Sequence, residues 1–315
     1  MHPPAKRIFR SPAKINWNLR VLRRCEDGYH AIESLMSAVT LEDEMIFTPR
    51  PEAGVTLSCD RADIPTDGRN LILRAAELLE RTCPTEKSRS GWHCHLVKQI
   101  PVGGGLGGGS SNAAVALSAL NLLWKLNLKT EQLHVLAAQL GSDVPFFLCE
   151  GSAIVRGRGE QIEPVRLGWR GWIVLICPPM AVATGKVYEA WEPEPCTMPP
   201  ISQQSDALGE GCDAVAWMQS AYNMLEAPAM KVCPALKDIA QRCAEHAGRP
   251  VRLSGSGSTL FTAFDTINEA ELFARDLSAP LGLSTDVVQP AEQASHRRLH
   301  HGDHGSPNQA RRKIN

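Results

Sequence analysis

Aromatic side chains are scarce, at 5% of the 315 residues, and only three of them are tyrosine. With a formal net charge of −1, the chain advertises no broad basic, base-stacking surface, so nucleic acid is not an expected partner. Any recognition of phosphate has to be local. The ten cysteines form no Cys-x-x-Cys pair, which excludes a zinc or redox motif of that spacing. Scattered thiols are those of a reducing cytoplasm, the expected location. No apolar run reaches about 18 residues, and no secretory core follows Lys6, Arg7 and Arg10. Neither a membrane span nor a leader is expected. What remains, 43% hydrophobic and 21% charged residues, is ordinary globular composition, at a length that fits about two domains.

Glycine, in contrast, is concentrated. Six of the seven positions from Gly103 to Gly109 are glycine, within Pro101-Val102-Gly103-Gly104-Gly105-Leu106-Gly107-Gly108-Gly109-Ser110-Ser111-Asn112-Ala113-Ala114. Such a run loses much backbone entropy on folding, so it needs a compensating role. Close backbone approach to an anion supplies one. Ser110, Ser111 or Asn112 can cap a following helix, whose apolar body runs from Ala113 to Trp124. Free N–H groups and the positive helix end then converge on a phosphate. The Walker pattern is excluded because the loop ends in Gly109-Ser110-Ser111 without a lysine. The dinucleotide pattern is formally present as Gly103-x-Gly105-x-x-Gly108. It lacks its βαβ context, since a second helix, N-capped by Thr130 and ending near Leu140, follows the first.

Other stretches frame this loop. Residues 8–22 alternate like a strand and place Lys14, Asn16 and Asn18 on one face, with Ile15, Trp17 and Leu19 on the other. The polar face can be solvated or can line a site. Cys25–His30 reads as a turn. Strands are expected at 34–41 and 44–48, at 93–97, at 151–159 with a turn, from Trp172 to Cys177, and at 260–264 and 285–288. Helices are expected at 71–81, 213–226, 234–247 and 269–277, with a long loop at 192–211. Gly141 looks like a helix C-cap, and Asp143 lies between that turn and the apolar Val144-Pro145-Phe146-Phe147. It can be an N-cap or a carboxylate of restricted solvation. Ser254-Gly255-Ser256-Gly257 is a second small-residue loop, readable also as a tight hairpin. From Gln289 onward periodicity is lost, as in a polar tail.

Three separated motifs resemble, in order and content, those of the GHMP small-molecule kinases. They are Pro12-Ala13-Lys14-Ile15-Asn16, the loop Pro101–Ala114, and Ser254-Gly255-Ser256-Gly257. Asp27-Gly28-Tyr29-His30 and Gly141-Ser142-Asp143-Val144-Pro145 narrow the resemblance to the branch acting on a cytidyl substrate. It extends over residues 8–288.

The resemblance implies an α+β GHMP kinase fold. The N-terminal domain (1–165) would be ribosomal protein S5 domain 2-like, the C-terminal domain (166–290) ferredoxin-like, and 291–315 a disordered tail. It implies transfer of the γ-phosphate of ATP, with Mg²⁺, to the 2-hydroxyl of a cytidine diphosphate-linked methylerythritol on the non-mevalonate route to isoprenoid precursors. By the same resemblance Lys14 and Asp143 are catalytic, and Pro101 to Ser111 wrap the ATP phosphates. Asn70 and Lys98 lie by the adenosine. Asn16, Tyr29, His30, Thr184 and Tyr188 hold the second substrate, and Gly255, Ser256 and Gly257 form the third-motif loop. No membrane or obligate protein partner is implied. Two positions depart from the pattern: Met224 replaces an acidic residue in Asn223-Met224-Leu225-Glu226, and Trp17 stands where a smaller aliphatic residue is expected. A homoserine, mevalonate or galactose kinase, and a catalytically silent nucleotide-binding protein, are the rival readings.

Overall fold

Strands β1 (Arg7–Arg24) and β2 (His30–Arg50) pair antiparallel over nearly their whole length and form the spine of the first sheet. The structure is a computed structural model that describes residues 6–83, 90–193, 199–201, 211–291 and 312–313. The two strands expected at 34–41 and 44–48 are one. The pairing with β1 jumps from Pro12↔Glu42 to Ala13↔Val39, which leaves Thr40 and Leu41 bulged. β3 (Val55–Cys59), which carries no clear pattern in the sequence, lies parallel to β4 (Gly91–Val97), and β4 pairs with the second half of β2. The first half of β2 pairs with β5 (Ser152–Gly157), which turns back into β6 (Gln161–Val165).

Helices α1 (Leu71–Thr82) and α2 (Gly108–Leu123) pack on this sheet, and α3 (Thr130–Leu140) packs on those two helices. Ile72 and Leu79 of α1, Leu117 and Leu120 of α2, and Leu136 of α3 share a core with Met45, Phe47 and Leu96. Thr130 is the first helical residue rather than the cap, which is Lys129.

The second sheet combines β7 (Trp172–Cys177), β9 (Arg252–Leu253), β10 (Leu260–Phe264) and β11 (Ser284–Val288) in the order β11-β7-β10-β9. The order fourth-first-third-second is that of a ferredoxin-like split βαβ arrangement. β12 (Arg312–Lys313) pairs with β11 at its edge. Helices α4 (Thr184–Glu189), α5 (Ala214–Ser220), α6 (Glu226–Val232), α7 (Pro234–Ala247) and α8 (Ile267–Leu281) complete this half.

The helix expected over 213–226 is broken. After α5 the chain enters β8 (Tyr222–Asn223), which pairs parallel with β1 at Asn18 and Leu19. Asn223 is buried and donates its amide to the carbonyls of Leu253 (2.8 Å) and Gly255 (2.7 Å). Those tertiary bonds outweigh local helix propensity. Glu226 accepts the Leu253 N–H at 2.9 Å, so both ends of the Asn-Met-Leu-Glu stretch fasten the entrance of the third-motif loop.

The two halves also meet in an aromatic cluster. Trp17 packs edge-to-face on Trp169, Trp217 and Phe261, with ring centroids 5.2–5.6 Å apart. Its indole N–H donates to Ser37 Oγ at 2.8 Å, so this unusually large residue is both packed and satisfied.

A second seam follows β11. The Gln289 N–H donates to Thr40 Oγ1, its carbonyl accepts the Thr40 N–H, and the Ala291 N–H donates to the Ala38 carbonyl. Ala291 is 7% exposed and belongs to the core of the first half. Residues 289–291 are therefore built in, contrary to a tail starting at Gln289. Of the expected tail, residues 292–311 and 314–315 lie outside the described residues, as do 194–198 and 202–210 of the expected long loop.

Candidate active site

Strand β1 carries its polar face inward. Lys14, Asn16 and Asn18 are 3%, 1% and 1% exposed, because the Gly-loop and residues of the second half, Ser220 and Gly255, cover a face that alternation alone left open to solvent. Lys14 Nζ donates to Asn16 Oδ1 at 2.6 Å and to the Gly105 carbonyl at 2.7 Å. It lies 3.9 Å from Asp143 Oδ2. Asn16 in turn donates to Ser34 Oγ at 2.8 Å, which fixes the orientation of its oxygen toward the ammonium. Burial pulls the Lys14 pKa below its usual value, and the charge of Asp143 opposes that shift.

Asp143 caps nothing. The 3-10 turn Pro145–Leu148 begins after Val144 without a side-chain cap, and the Asp143 carboxylate stays 35% exposed at the cleft. Of the two sequence readings, the N-cap is thus removed.

The Gly-loop differs from its expected detail. α2 starts at Gly108, five residues before the apolar body, with Gly107 in the left-handed conformation (φ +70°) as N-cap. Neither Ser110, Ser111 nor Asn112 caps the helix, because all three already lie within it. Ser110 lines the cleft, whereas Ser111 is fully buried and accepts a hydrogen bond from Ser11 Oγ at 2.8 Å. The first N–H groups of the 16-residue helix α2 have no intrahelical partner and face the cleft with its positive end.

The two small-residue loops dock on each other. The Thr259 N–H donates to the Gly104 carbonyl at 3.1 Å, and Ser254 Oγ donates to the Gly105 carbonyl at 3.1 Å. A Cβ on Gly105 (φ +76°) would stand 2.1 Å from the Ser254 carbonyl oxygen, so only glycine permits this approach. β9 and β10 on either side of the second loop pair antiparallel, so that loop connects a β-hairpin.

The resulting cleft measures about 1050 Å³. It is lined by Lys14, Asn16, Asn70, Lys98, Pro101 to Ser110, Asp143, Tyr29, His30, Thr184, Tyr188, Gly255 and Ser256. Ser111 and Gly257 are the expected site residues that do not line it. Thr184 Oγ1 and Ser256 Oγ are hydrogen-bonded at 2.8 Å. His30 packs on Tyr188 (5.1 Å between centroids) and edge-on to Trp191 at 5.5 Å, an aromatic partner without a motif in the sequence. Burial first, and Arg24 second, lower the His30 pKa. Burial first, and the charge of Asp143 second, raise that of the Tyr188 phenol. Arg158 lies over the Tyr29 ring at 5.2 Å and pairs with Asp27. Asn70 accepts the Ile72 N–H at 2.9 Å as cap of α1 and donates to the Pro65 carbonyl at 2.8 Å.

A glycine-rich loop at a helix N-terminus, facing a buried lysine and a partly exposed aspartate between two halves of this topology, defines a small-molecule kinase of the GHMP class. The description "GHMP kinases N terminal domain" matches residues 70–151, and "GHMP kinases C terminal" matches residues 206–282. The chain belongs to the GHMP kinase family.

Within it, the chain is similar to proteins named 4-diphosphocytidyl-2-C-methyl-D-erythritol kinase. The relative from Shouchella clausii is 36% identical over 256 residues, 81% of this chain and 85% of its own. That from Geobacillus thermodenitrificans is 38% identical over 253 residues, 80% of this chain and 86% of its own. A crystal structure of 4-(cytidine 5'-diphospho)-2C-methyl-D-erythritol kinase superposes with a TM-score of 0.73 at 33% identity, covering 90% of this chain and 99% of its own. ATP is the co-substrate of the family's reaction. Among the described residues no helix is long and apolar enough to cross a membrane.

Proposed function

We propose that this chain transfers the γ-phosphate of ATP to the 2-hydroxyl of 4-diphosphocytidyl-2-C-methyl-D-erythritol, a step toward isoprenoid precursors on the non-mevalonate route. The observation that carries the reading is the 3.9 Å approach of Asp143 to Lys14, at the junction of the Gly-loop with an aromatic pocket. A tertiary alcohol is a poor nucleophile, and Asp143 accepts its proton as the oxygen attacks. Lys14 lies beside that carboxylate and offsets charge on the transferring phosphoryl group.

Backbone N–H groups of the Gly-loop and the start of α2 hold the ATP phosphates, while Asn70 and Lys98 shape the adenosine side. His30 reads the cytosine edge, Tyr29 and Tyr188 supply aromatic surface for the base, and Asn16 and Thr184 border the methylerythritol. Gly255 and Ser256 close the floor below the transferring group.

Among the described residues no group of three or more His, Cys, Asp or Glu could hold a metal ion. The cleft therefore fits an Mg²⁺ carried mainly by the nucleotide phosphates, with the Ser110 hydroxyl as protein donor. Such an ion supplies neutralisation of phosphate charge. The domains divide near residue 165. The free thiols among the described cysteines favour a cytoplasmic setting.

An ADP-release assay with the cytidyl substrate, homoserine and mevalonate tests the reading. Turnover of the cytidyl substrate alone is expected. Turnover of another acceptor would reassign the branch, and nucleotide binding without any turnover would make the chain a silent binder.

A further inference from the structure

Asp43 is fully buried, lies in the acidic stretch Glu42-Asp43-Glu44 of β2, and touches no reacting group. Its two carboxylate oxygens divide their work. Oδ1 accepts the backbone N–H of Gln99 (2.7 Å) and of Ile100 (2.8 Å), the residues that lead into the Gly-loop. Oδ2 accepts from Lys98 Nζ at 2.6 Å and from Asn112 Nδ2 at 3.0 Å, and Asn112 belongs to the helix that leads out of the loop. The Lys98 ammonium also donates to the Ile100 carbonyl at 2.9 Å, and a Cβ on Gly108 would lie 2.9 Å from it. Entrance and exit of an otherwise glycine-rich segment thus converge on one side chain.

We propose that Asp43 is a positioning residue of the nucleotide site. It clamps both ends of the Gly-loop, so that the loop's N–H groups stand in phosphate-binding geometry before ATP arrives. Glycines between the clamped ends would otherwise sample many conformations, and each has to be frozen on binding. The clamp also places the Lys98 charge: its ammonium serves the carboxylate and the loop backbone. A burial-only role for Asp43 predicts lost stability and nothing else. The clamp predicts lost nucleotide affinity with the acceptor site intact.

The inference rests on the reading of the loop as the ATP site, and the test separates the two. Asp43→Asn keeps one acceptor oxygen but sets an NH₂ group against two donors, releasing either the entrance or the exit. Asn112→Leu cuts the exit tie, together with the Asn112–Ser11 bond, and leaves the Asp43–Lys98 pair in place. Each full-length variant is titrated calorimetrically with a non-hydrolysable ATP analogue, and KM is measured for ATP and for the cytidyl substrate.

The clamp predicts an ATP-analogue Kd raised about tenfold or more by Asp43→Asn and about threefold or more by Asn112→Leu, using ordinary hydrogen-bond strengths. The cytidyl KM should stay within about twofold. If Asp43→Asn does not fold, Asn112→Leu decides on its own. Folded variants that bind the analogue like the wild type, or that lose both substrates equally, overturn the clamp. A wild type that binds no ATP analogue overturns the ATP reading, and the clamp with it.

Discussion

Lys14 Nζ sits 3.9 Å from Asp143 Oδ2, while the same ammonium donates at 2.6 Å to Asn16 and at 2.7 Å to the Gly105 carbonyl. The two short bonds aim the lysine, and the longer distance leaves Asp143 oxygens free to meet a hydroxyl. One cation therefore joins strand β1, the Gly-loop and the candidate base.

That joint has a pH signature. Burial lowers the Lys14 pKa from 10.5, with the charge of Asp143 acting against the shift. The charged form is lost as pH rises through the lowered value, so kcat should fall on the alkaline side below pH 10.5. Removing the carboxylate with Asp143→Asn should move the alkaline limb of the residual activity lower still. A kcat–pH profile flat up to the ordinary lysine range would show that the Lys14 charge is not used.

Gly105→Val should abolish ATP binding. The reason lies in the loop contact: the added carbon would meet the Ser254 carbonyl at 2.1 Å and force the two loops apart. Circular dichroism should show a retained fold, and calorimetry lost nucleotide affinity. Retained affinity would mean that loop docking does not shape the nucleotide site.

His30→Ala and Tyr188→Ala should weaken the cytidyl substrate by roughly 1–3 kcal/mol each, taking base stacking as the guide, with ATP little changed. Because burial and Arg24 lower the His30 pKa from 6.5, the ring is neutral at pH 7. The wild-type KM for the cytidyl substrate should be flat above neutrality and change only as pH falls below 6.5. Equal loss of ATP and cytidyl affinity would place these residues elsewhere in the reaction.

What the sequence disclosed and what it hid have a common physical cause. The Gly-loop is local, and its glycine run carries its own signal; Lys14, Asp143 and the Tyr29-His30 turn stand out only through short motifs that resemble those of the family. Asp43 is invisible, because an aspartate between two glutamates reads as a solvated edge until Lys98 and Asn112 arrive from 55 and 69 residues away. β8 was masked by helix propensity around Asn223, since its bonds to Leu253 and Gly255 exist only after the second half folds. The helix cap was misplaced because Ser111 and Asn112 spend their side chains on Ser11 and Asp43 rather than on the helix end. Likewise, nothing in Gln289-Pro290-Ala291 itself marks it as a seam onto the bulge at Thr40.

The most direct measurement is kcat of Asp143→Asn with saturating ATP and cytidyl substrate. Asparagine keeps the shape and removes the charge and basicity, and Asp143 caps no helix whose loss could confuse the result. The account predicts a fall of about 10²–10⁴, the usual contribution of general acid–base catalysis, with ATP affinity and Tm nearly unchanged. Combining it with Lys14→Met should cost much less than the product of the single effects if the pair acts as a unit. Near-normal turnover by Asp143→Asn would contradict the assignment of Asp143 as the base.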